Sequence, residues 1–129
     1  MKCLDSDILV AILRGDKSAM PYMEKIDTEG KTSTTSISAY EILFGARISK
    51  NPKNVEESIK LLAKLSVLPF DEKAAEKASE IHSDLRQKGQ EVSLKDMFIA
   101  SVAITNGSHV ITRNTKDFLR IKEVKVEKW

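Results

Sequence analysis

Acidic side chains stand at two kinds of position in this chain: just after short apolar segments, and near the start of predicted helices. Carboxylates about 4 Å apart repel each other by about 4 kcal/mol at an effective dielectric constant near 20, so such a set needs protons or a cation. Oxygen ligands without histidine or thiolate favour Mg²⁺ or Mn²⁺ over zinc. One or two such ions can activate water and stabilise a phosphodiester transition state. The acids are Asp5, Asp7, Glu41, Asp96 and Asp117.

Each of these acids also has a simpler explanation, because helix starts use acidic and hydroxyl side chains as caps. Three residue pairs have the capping-box spacing or a close variant of it, and Asp5 could cap the helix that follows it. The pairs are Ser38 with Glu41, Ser93 with Asp96, and Asn114 with Asp117. Independent caps have no reason to fall at corresponding strand ends, so the set as a whole favours a metal site. Both roles are compatible, because the positive end of a helix stabilises a nearby carboxylate.

The elements that must position these acids alternate between short apolar strands and helices. The sequence predicts strands over residues 2–4, 31–35, 67–69, 109–111 and 124–126. It predicts helices over residues 8–13, 18–28, 37–49, 55–65, 71–88 and 97–104. This alternation predicts a parallel sheet with helices on both faces. In open sheets of this kind, functional residues gather at the carboxyl ends of the strands.

Composition narrows the functional classes. The chain has 129 residues, of which 31% are charged and 41% hydrophobic, and this size suits one domain over residues 1–129. A formal net charge of +2 is too small for a non-specific nucleic-acid coat. No apolar run is long enough to cross a membrane, and the early acids do not fit a secretory signal. The single cysteine, Cys3, excludes a disulfide scaffold, so we expect a soluble cytoplasmic protein.

Four blocks of the sequence together resemble the PIN-domain family, and in particular its VapC-type toxins. They are LDSD at 4–7, ISAYEILFGA at 37–46, LKDMFIA at 94–100 and VITRNTKDF at 110–118, and residues 124–129 resemble the end of those toxins. The resemblance implies a three-layer α/β/α sandwich with a short-stranded, mostly parallel central sheet. It also implies an Mg²⁺- or Mn²⁺-dependent endoribonuclease that leaves 5′-phosphate and 3′-hydroxyl ends. As partners it implies an RNA substrate, a cognate antitoxin protein and a second copy of the chain.

The resemblance also assigns candidate catalytic residues by position. Asp5, Glu41 and Asp96 match the three core acids of the family and are the expected metal ligands. The fourth position stays open between Asn114 and Asp117, because some relatives carry an aspartate where Asn114 stands. An amide oxygen can coordinate a metal ion or its water without adding charge.

Auxiliary and substrate-binding residues are expected around these acids. Asp7 departs from the Asn or Ser usual in the family, and it either adds charge or caps a helix. Thr112 is expected to help stabilise the reacting phosphate. RNA that approaches an acidic groove needs basic residues at its rim. The candidates are Arg14, Arg47, Arg113 and Lys116. For the homodimer we expect a contact on the early helices, with Met20, Tyr22 and Met23 either there or in the core.

Three other functions fit part of the sequence. The spacing of Asp5 and Asp7 resembles the nucleophile motif of haloacid-dehalogenase phosphatases, but the chain is short for that fold and lacks a matching lysine block. A receiver domain would use Asp71 after the third strand, but Lys125 is followed by Val126 and not by proline. A catalytically inactive PIN-like binding module is the third, and the three matched acids argue against it.

Overall fold

Five short parallel strands form the frame of the protein. A computed structural model describes all 129 residues. The strands are β1 (Lys2–Leu4), β2 (Ser33–Thr35), β3 (Ser66–Leu68), β4 (His109–Thr112) and β5 (Val126–Lys128). They lie in the order β3-β2-β1-β4-β5, and all four pairings are parallel. The predicted α/β class is therefore confirmed, and the first strand of the chain lies at the centre of the sheet.

Six helices cover the sheet. They are α1 (Ser6–Leu13), α2 (Met20–Glu29), α3 (Ser36–Ile48), α4 (Pro52–Ala63), α5 (Glu72–Gln87) and α6 (Leu94–Thr105). Short 3₁₀ turns occupy Lys17–Ala19 and Phe118–Arg120. None of these helices is both long enough and apolar enough to span a bilayer.

Alternate residues of the central strands supply the apolar cores on the two faces of the sheet, as the period of a strand requires. Leu4 and Ile111 pack into a cluster with residues of α1, α2, α3 and α4. On the other face, Val110 packs with residues of α5 and α6, and Cys3 packs with Val102 of α6. Burial on both faces accounts for the apolar residues of β1 and β4, and it gives the predicted three-layer sandwich.

Most predicted bounds shift by one to three residues, α4 and α6 each beginning three residues earlier than predicted, and two of the differences have a clear local cause. The helix predicted over residues 18–28 is divided, because Asp16 caps the 3₁₀ turn through the N–H of Ser18 and Pro21 stands at the start of α2. Proline is favoured in the first turn of a helix, where its missing N–H costs nothing. The last strand forms two residues later than predicted, because Val126 pairs with Val110. Val124 instead packs against the core beside α5 and α6.

Two of the three predicted capping boxes are absent. Thr35, not Ser38, caps α3, and its hydroxyl accepts the N–H of Ser38 at 3.0 Å. Asp117 precedes the second 3₁₀ turn without making a side-chain capping bond there. At α6, one of the two bonds of the predicted capping box forms: Ser93 Oγ accepts the N–H of Asp96 at 3.4 Å.

Candidate active site

The carboxyl edge of the sheet brings together four acids from segments far apart in sequence. The chain leaves β1, β2 and β4 at this edge, and α1, α3 and α6 begin there. We call the four acids the acidic cluster. They are Asp5, Glu41, Asp96 and Asp117. Burial raises the pKa of Asp96 and of Asp5. The charges of Asp5, Asp117 and Glu41 raise that of Asp96 further, and the charges of Asp7 and Glu41 raise that of Asp5.

Asp5 is fixed by hydrogen bonds to both of its oxygens. Oδ1 accepts the backbone N–H of Ser6 at 2.8 Å, so Asp5 does cap α1. Oδ2 accepts the hydroxyl proton of Thr112 at 2.8 Å. Burial raises the pKa of Asp5, and the Thr112 bond opposes that shift. Thr112 is itself fully buried, and its hydroxyl is directed at Asp5.

Asp96 carries the most perturbed carboxyl group of the cluster. It lies in the first turn of α6 and is only 4% exposed. Burial raises its pKa from 3.8 to about 6, and the negative charge of Asp5 adds to the shift. Lys95 opposes the shift, and no hydrogen bond contributes to it. Asp96 is thus a largely buried residue whose carboxylate accepts no hydrogen bond from the protein, which is the kind of group that cations and protons stabilise.

Glu41 is paired with a lysine that the sequence analysis did not assign to the site. Glu41 Oε2 accepts from Lys95 Nζ at 2.9 Å, whereas Glu41 Oε1 is buried without any partner. The bond to Glu41 raises the pKa of Lys95, and the charges of Asp96 and Asp5 raise it further. Lys95 lies in the first turn of α6, where the helix dipole disfavours a cation. That position was a signal in the sequence that Lys95 has acidic neighbours.

The structure treats the two candidates for the fourth position differently. Asp117 Oδ2 accepts the backbone N–H of Ser93 at 3.1 Å, and its charge raises the pKa of Asp96. Asn114 is exposed, and its backbone N–H donates to Thr112 Oγ1 at 3.1 Å. Asp117 therefore adds charge to the cluster and holds the start of α6, while the Asn114 side chain is open to solvent.

Asp7 has one of the two roles predicted for it, because its charge raises the pKa of Asp5 but it does not cap α1. Its Oδ2 accepts the backbone N–H of Arg113 at 2.8 Å and lies 3.0 Å from Thr112 Oγ1. Its Oδ1 accepts from Trp129 Nε1 at 3.1 Å. Asp5, not Asp7, caps α1. We predicted no role for Trp129. Its distinguishing feature in the sequence is that it is the only tryptophan of the chain.

The four basic residues predicted to contact RNA do not form one rim. Arg14 lines a groove that Glu41 also lines, between α1, α3 and α4, together with Lys53. Arg47 lines a separate depression, and Lys116 is exposed. Arg113 stacks on the Trp129 ring, with its guanidinium carbon 3.6 Å from the ring centroid.

The donor set of the acidic cluster fits a hard divalent cation. It consists of carboxylate oxygens, one of them the unpartnered Glu41 Oε1, and such oxygens are the ligands that Mg²⁺ and Mn²⁺ take. No three acidic, histidine or cysteine side chains are already arranged around one metal position. The side chains of Asp5, Glu41 and Asp96 would have to come closer together around an ion, and Glu41 Oε1 is free to join them while Lys95 holds Oε2.

The protein is a parallel α/β/α sandwich with carboxylates gathered at one edge of its sheet. This combination of fold and site defines its structural class before any relative is considered. The family model for the PIN domain matches residues 2–124. The chain therefore belongs to the PIN domain family, as the sequence blocks indicated, and not to the phosphatase or receiver families. Asp71, the residue a receiver would phosphorylate, caps α5 through the N–H of Ala74.

Named relatives and solved structures agree with this assignment. The chain is 30% identical over 132 residues to Ribonuclease VapC2 of Rickettsia felis, covering 98% of this chain and 96% of that protein. It is 26% identical over 127 residues to the tRNA(fMet)-specific endonuclease VapC of Shigella flexneri, with the same coverage. Among structures, VapBC2 of Rickettsia felis bound to a promoter DNA fragment matches with a TM-score of 0.87 at 26% identity, covering 99% of this chain and 98% of that chain. The resemblance to VapC-type ribonucleases is confirmed.

Proposed function

We propose that this protein is a metal-dependent endoribonuclease and the toxin of a VapBC-type toxin–antitoxin pair. One observation carries the proposal. The Asp96 carboxylate, on a residue that is only 4% exposed, accepts no hydrogen bond from the protein and lies in the field of three other acids, with Lys95 the only cation acting on it. A scaffold has no need of such a costly arrangement, whereas a divalent cation would stabilise it.

Asp5, Glu41 and Asp96 are the residues that would hold Mg²⁺ or Mn²⁺. A bound ion supplies an activated water and stabilises negative charge at phosphorus. Thr112 and the N–H of Ser6 hold the Asp5 carboxylate in one orientation. Asn114 presents an exposed amide beside the cluster, where it can contact a phosphate oxygen. Arg14, in the groove that Glu41 lines, offers positive charge to the RNA backbone.

RNA is proposed as the substrate because the relatives are named as ribonucleases. The Shigella flexneri relative is named for tRNA(fMet), so transfer RNA is the first substrate class to test. An antitoxin is proposed as partner because VapBC assemblies from Rickettsia felis and Salmonella typhimurium each match with a TM-score of 0.87. The Salmonella typhimurium match is 26% identical and covers 100% of this chain and 98% of that chain.

A second copy of the chain is proposed to pack against α3 and the start of α6. Tyr40 and Phe44 of α3 are 64% and 52% exposed, and their rings stack at 5.9 Å. Leu94, 53% exposed, lies beside them, and the surface also carries Glu41 and Lys95. A patch that is apolar at its centre and carries both charges can face a copy of itself. Tyr22, which we expected either at the dimer contact or in the core, is partly buried against the core.

The dimer surface is tested by light scattering after gel filtration. Tyr40→Glu is expected to convert a dimer to a monomer, because it would bury a charge in the contact. Tyr22→Phe, a matched aromatic change on the other side of the molecule, is expected to leave the mass unchanged. A wild-type protein that is a monomer at all concentrations contradicts this part of the proposal.

The activity is tested with 5′-labelled total transfer RNA and a structured messenger RNA. We expect the wild-type protein to cleave one of them in Mn²⁺ or Mg²⁺ and to be inactive in EDTA. Asp5→Asn is expected to lower the rate by at least about a hundredfold, as loss of a ligand does in metal sites. The cleaved ends should carry 5′-phosphate and 3′-hydroxyl.

The contrasting function is an inactive binding module, and one observation favours it: Glu41 is already paired with Lys95, and no ready metal position exists. Calorimetric titration of the folded wild-type protein with Mn²⁺ separates the two functions. Binding that is lost in Asp96→Asn supports the ribonuclease. If the folded protein binds no Mn²⁺ and cleaves no RNA, the binding module replaces the ribonuclease as the proposed function.

A further inference from the structure

Trp129 is joined to the acidic cluster by a chain of hydrogen bonds. Its Nε1–H donates to Asp7 Oδ1 at 3.1 Å. Asp7 Oδ2 lies 3.0 Å from Thr112 Oγ1, and the same hydroxyl lies 2.8 Å from Asp5 Oδ2. The chain thus runs from the residue after β5 to one of the expected metal ligands.

Thr112 has one hydroxyl proton and two carboxylates within reach of it. Its oxygen also accepts the N–H of Asn114 at 3.1 Å, which leaves the hydroxyl proton as its single donor. Asp7 has two other donors, the Arg113 N–H at 2.8 Å and the Trp129 indole N–H. Asp5 Oδ2 has none. The proton of Thr112 therefore goes to Asp5 for as long as Asp7 keeps its other donors.

The indole ring of Trp129 is held on two sides, which fixes the direction of its N–H. The Arg113 guanidinium lies over one face at 3.6 Å, and its Nη2 donates to Ser18 Oγ at 2.8 Å. Tyr22 meets the ring edge-on, with centroids 6.4 Å apart. A ring held in this way can act as a rigid donor to Asp7.

We propose that Trp129 is a positioning residue of the candidate active site. Its indole N–H occupies Asp7, which leaves the Thr112 proton to Asp5 and fixes the carboxylate that would bind the metal. Without that N–H, Asp7 competes for the proton, and Asp5 loses the bond that orients it. The inference rests on the proposed function, because its effect is exerted on metal binding.

The first test is calorimetric titration with Mn²⁺ of the full-length protein, comparing wild type with Trp129→Phe. Phenylalanine keeps a ring under Arg113 but has no N–H. Removing a partner that orients a metal ligand weakens affinity by about tenfold or more, and with Asp7 and Thr112 in between we expect a loss of about three- to tenfold. Asp84→Asn, a change at an exposed residue of α5 outside the hydrogen-bond chain, should bind like wild type. Unchanged affinity in Trp129→Phe overturns the inference.

A double-mutant cycle with Thr112→Val separates positioning from packing. If Trp129 acts through the Thr112 proton, Trp129→Phe has no further effect on Mn²⁺ affinity in the Thr112→Val background. An equal loss in both backgrounds would assign Trp129 to packing alone and reject the proposal. Thermal unfolding in EDTA accompanies each titration, so that only folded variants are compared.

Trp129 is also the only tryptophan, so its fluorescence reports on the chain. Coupling between two sites is reciprocal, and addition of Mg²⁺ should therefore change the emission of the wild type but not that of Thr112→Val. The same change in both proteins contradicts the proposed route. Wild-type protein that binds neither ion rejects the metal dependence of the proposed function and this inference with it. Normal wild-type binding with an unaffected Trp129→Phe rejects the inference alone.

Discussion

Asp96→Asn should stabilise the metal-free protein at neutral pH. The Asp96 carboxyl is buried among like charges, and its pKa rises from 3.8 to about 6 on folding. The folded state thus binds the proton more tightly than the unfolded chain. The stability that this provides is fully present below pH 4, is lost between about pH 4 and 6, and stays lost above that range. Asparagine has the same shape and no charge to bury.

The size of the effect follows from the shift. Two pKa units correspond to nearly 3 kcal/mol at about 1.4 kcal/mol per unit. The cluster opens to solvent and Lys95 lies near, so we reduce the expected gain for Asp96→Asn to about 1–2 kcal/mol at pH 7.5. In a chain of this length, that gain raises the melting temperature by about 3–6 °C.

Urea unfolding in EDTA at a series of pH values measures this gain. The difference between Asp96→Asn and wild type should be near zero at pH 4, grow to pH 6 and then stay constant. Asp84→Asn on α5 is the matched control, because Asp84 is exposed and pairs only with Lys88 on the surface. It should change stability by less than about 0.5 kcal/mol at any pH.

In the presence of Mn²⁺, the wild-type protein should become more stable than Asp96→Asn. A ligand that binds only the folded state stabilises it in proportion to the logarithm of its concentration, and Asp96→Asn lacks one of the expected ligands. A variant that is less stable than wild type in EDTA, or a difference that does not depend on pH, would refute the assignment of Asp96 as a strained, metal-ready acid.

Two further predictions concern the neighbours of Asp96. Lys95→Met should tighten Mn²⁺ binding by about fivefold, because it removes a competing cation worth about 1 kcal/mol and frees Glu41. Weaker Mn²⁺ binding of this variant on calorimetry would show that Lys95 supports the site and does not compete with the metal ion. Asp117→Ala should cost about 1 kcal/mol of stability, because the N–H of Ser93 loses its acceptor. It should also lower the pKa of Asp96, since one nearby charge is gone, and a pKa of Asp96 that stays unchanged in an NMR titration would contradict the geometry.

Local sequence patterns were sufficient to predict the fold. Apolar alternation in the central strands and helical spacing between them define the sandwich, because each element carries its own pattern. The error at β5 has a physical cause. Val124 and Val126 are both apolar, and only the register with β4 decides which of them enters the strand.

The candidate site was predictable only in part. Asp5 and Asp96 could be proposed because each follows a strand or opens a helix within its own segment. The partners of these acids are not local. Lys95 meets Glu41 from 54 residues away, and Trp129 meets Asp7 from 122 residues away. No spacing rule joins such pairs, so the partners of Lys95 and Trp129 are identified only in three dimensions.

The central position of β1 has a consequence for the order of events during synthesis. β1 is made first, but its partner β4 and the Thr112 that orients Asp5 are made 107 residues after that acid. Contacts of such long range form late in folding. A nascent chain therefore carries Asp5 and Glu41 long before it has a site. The acidic cluster is thus completed only after β4 has been synthesised.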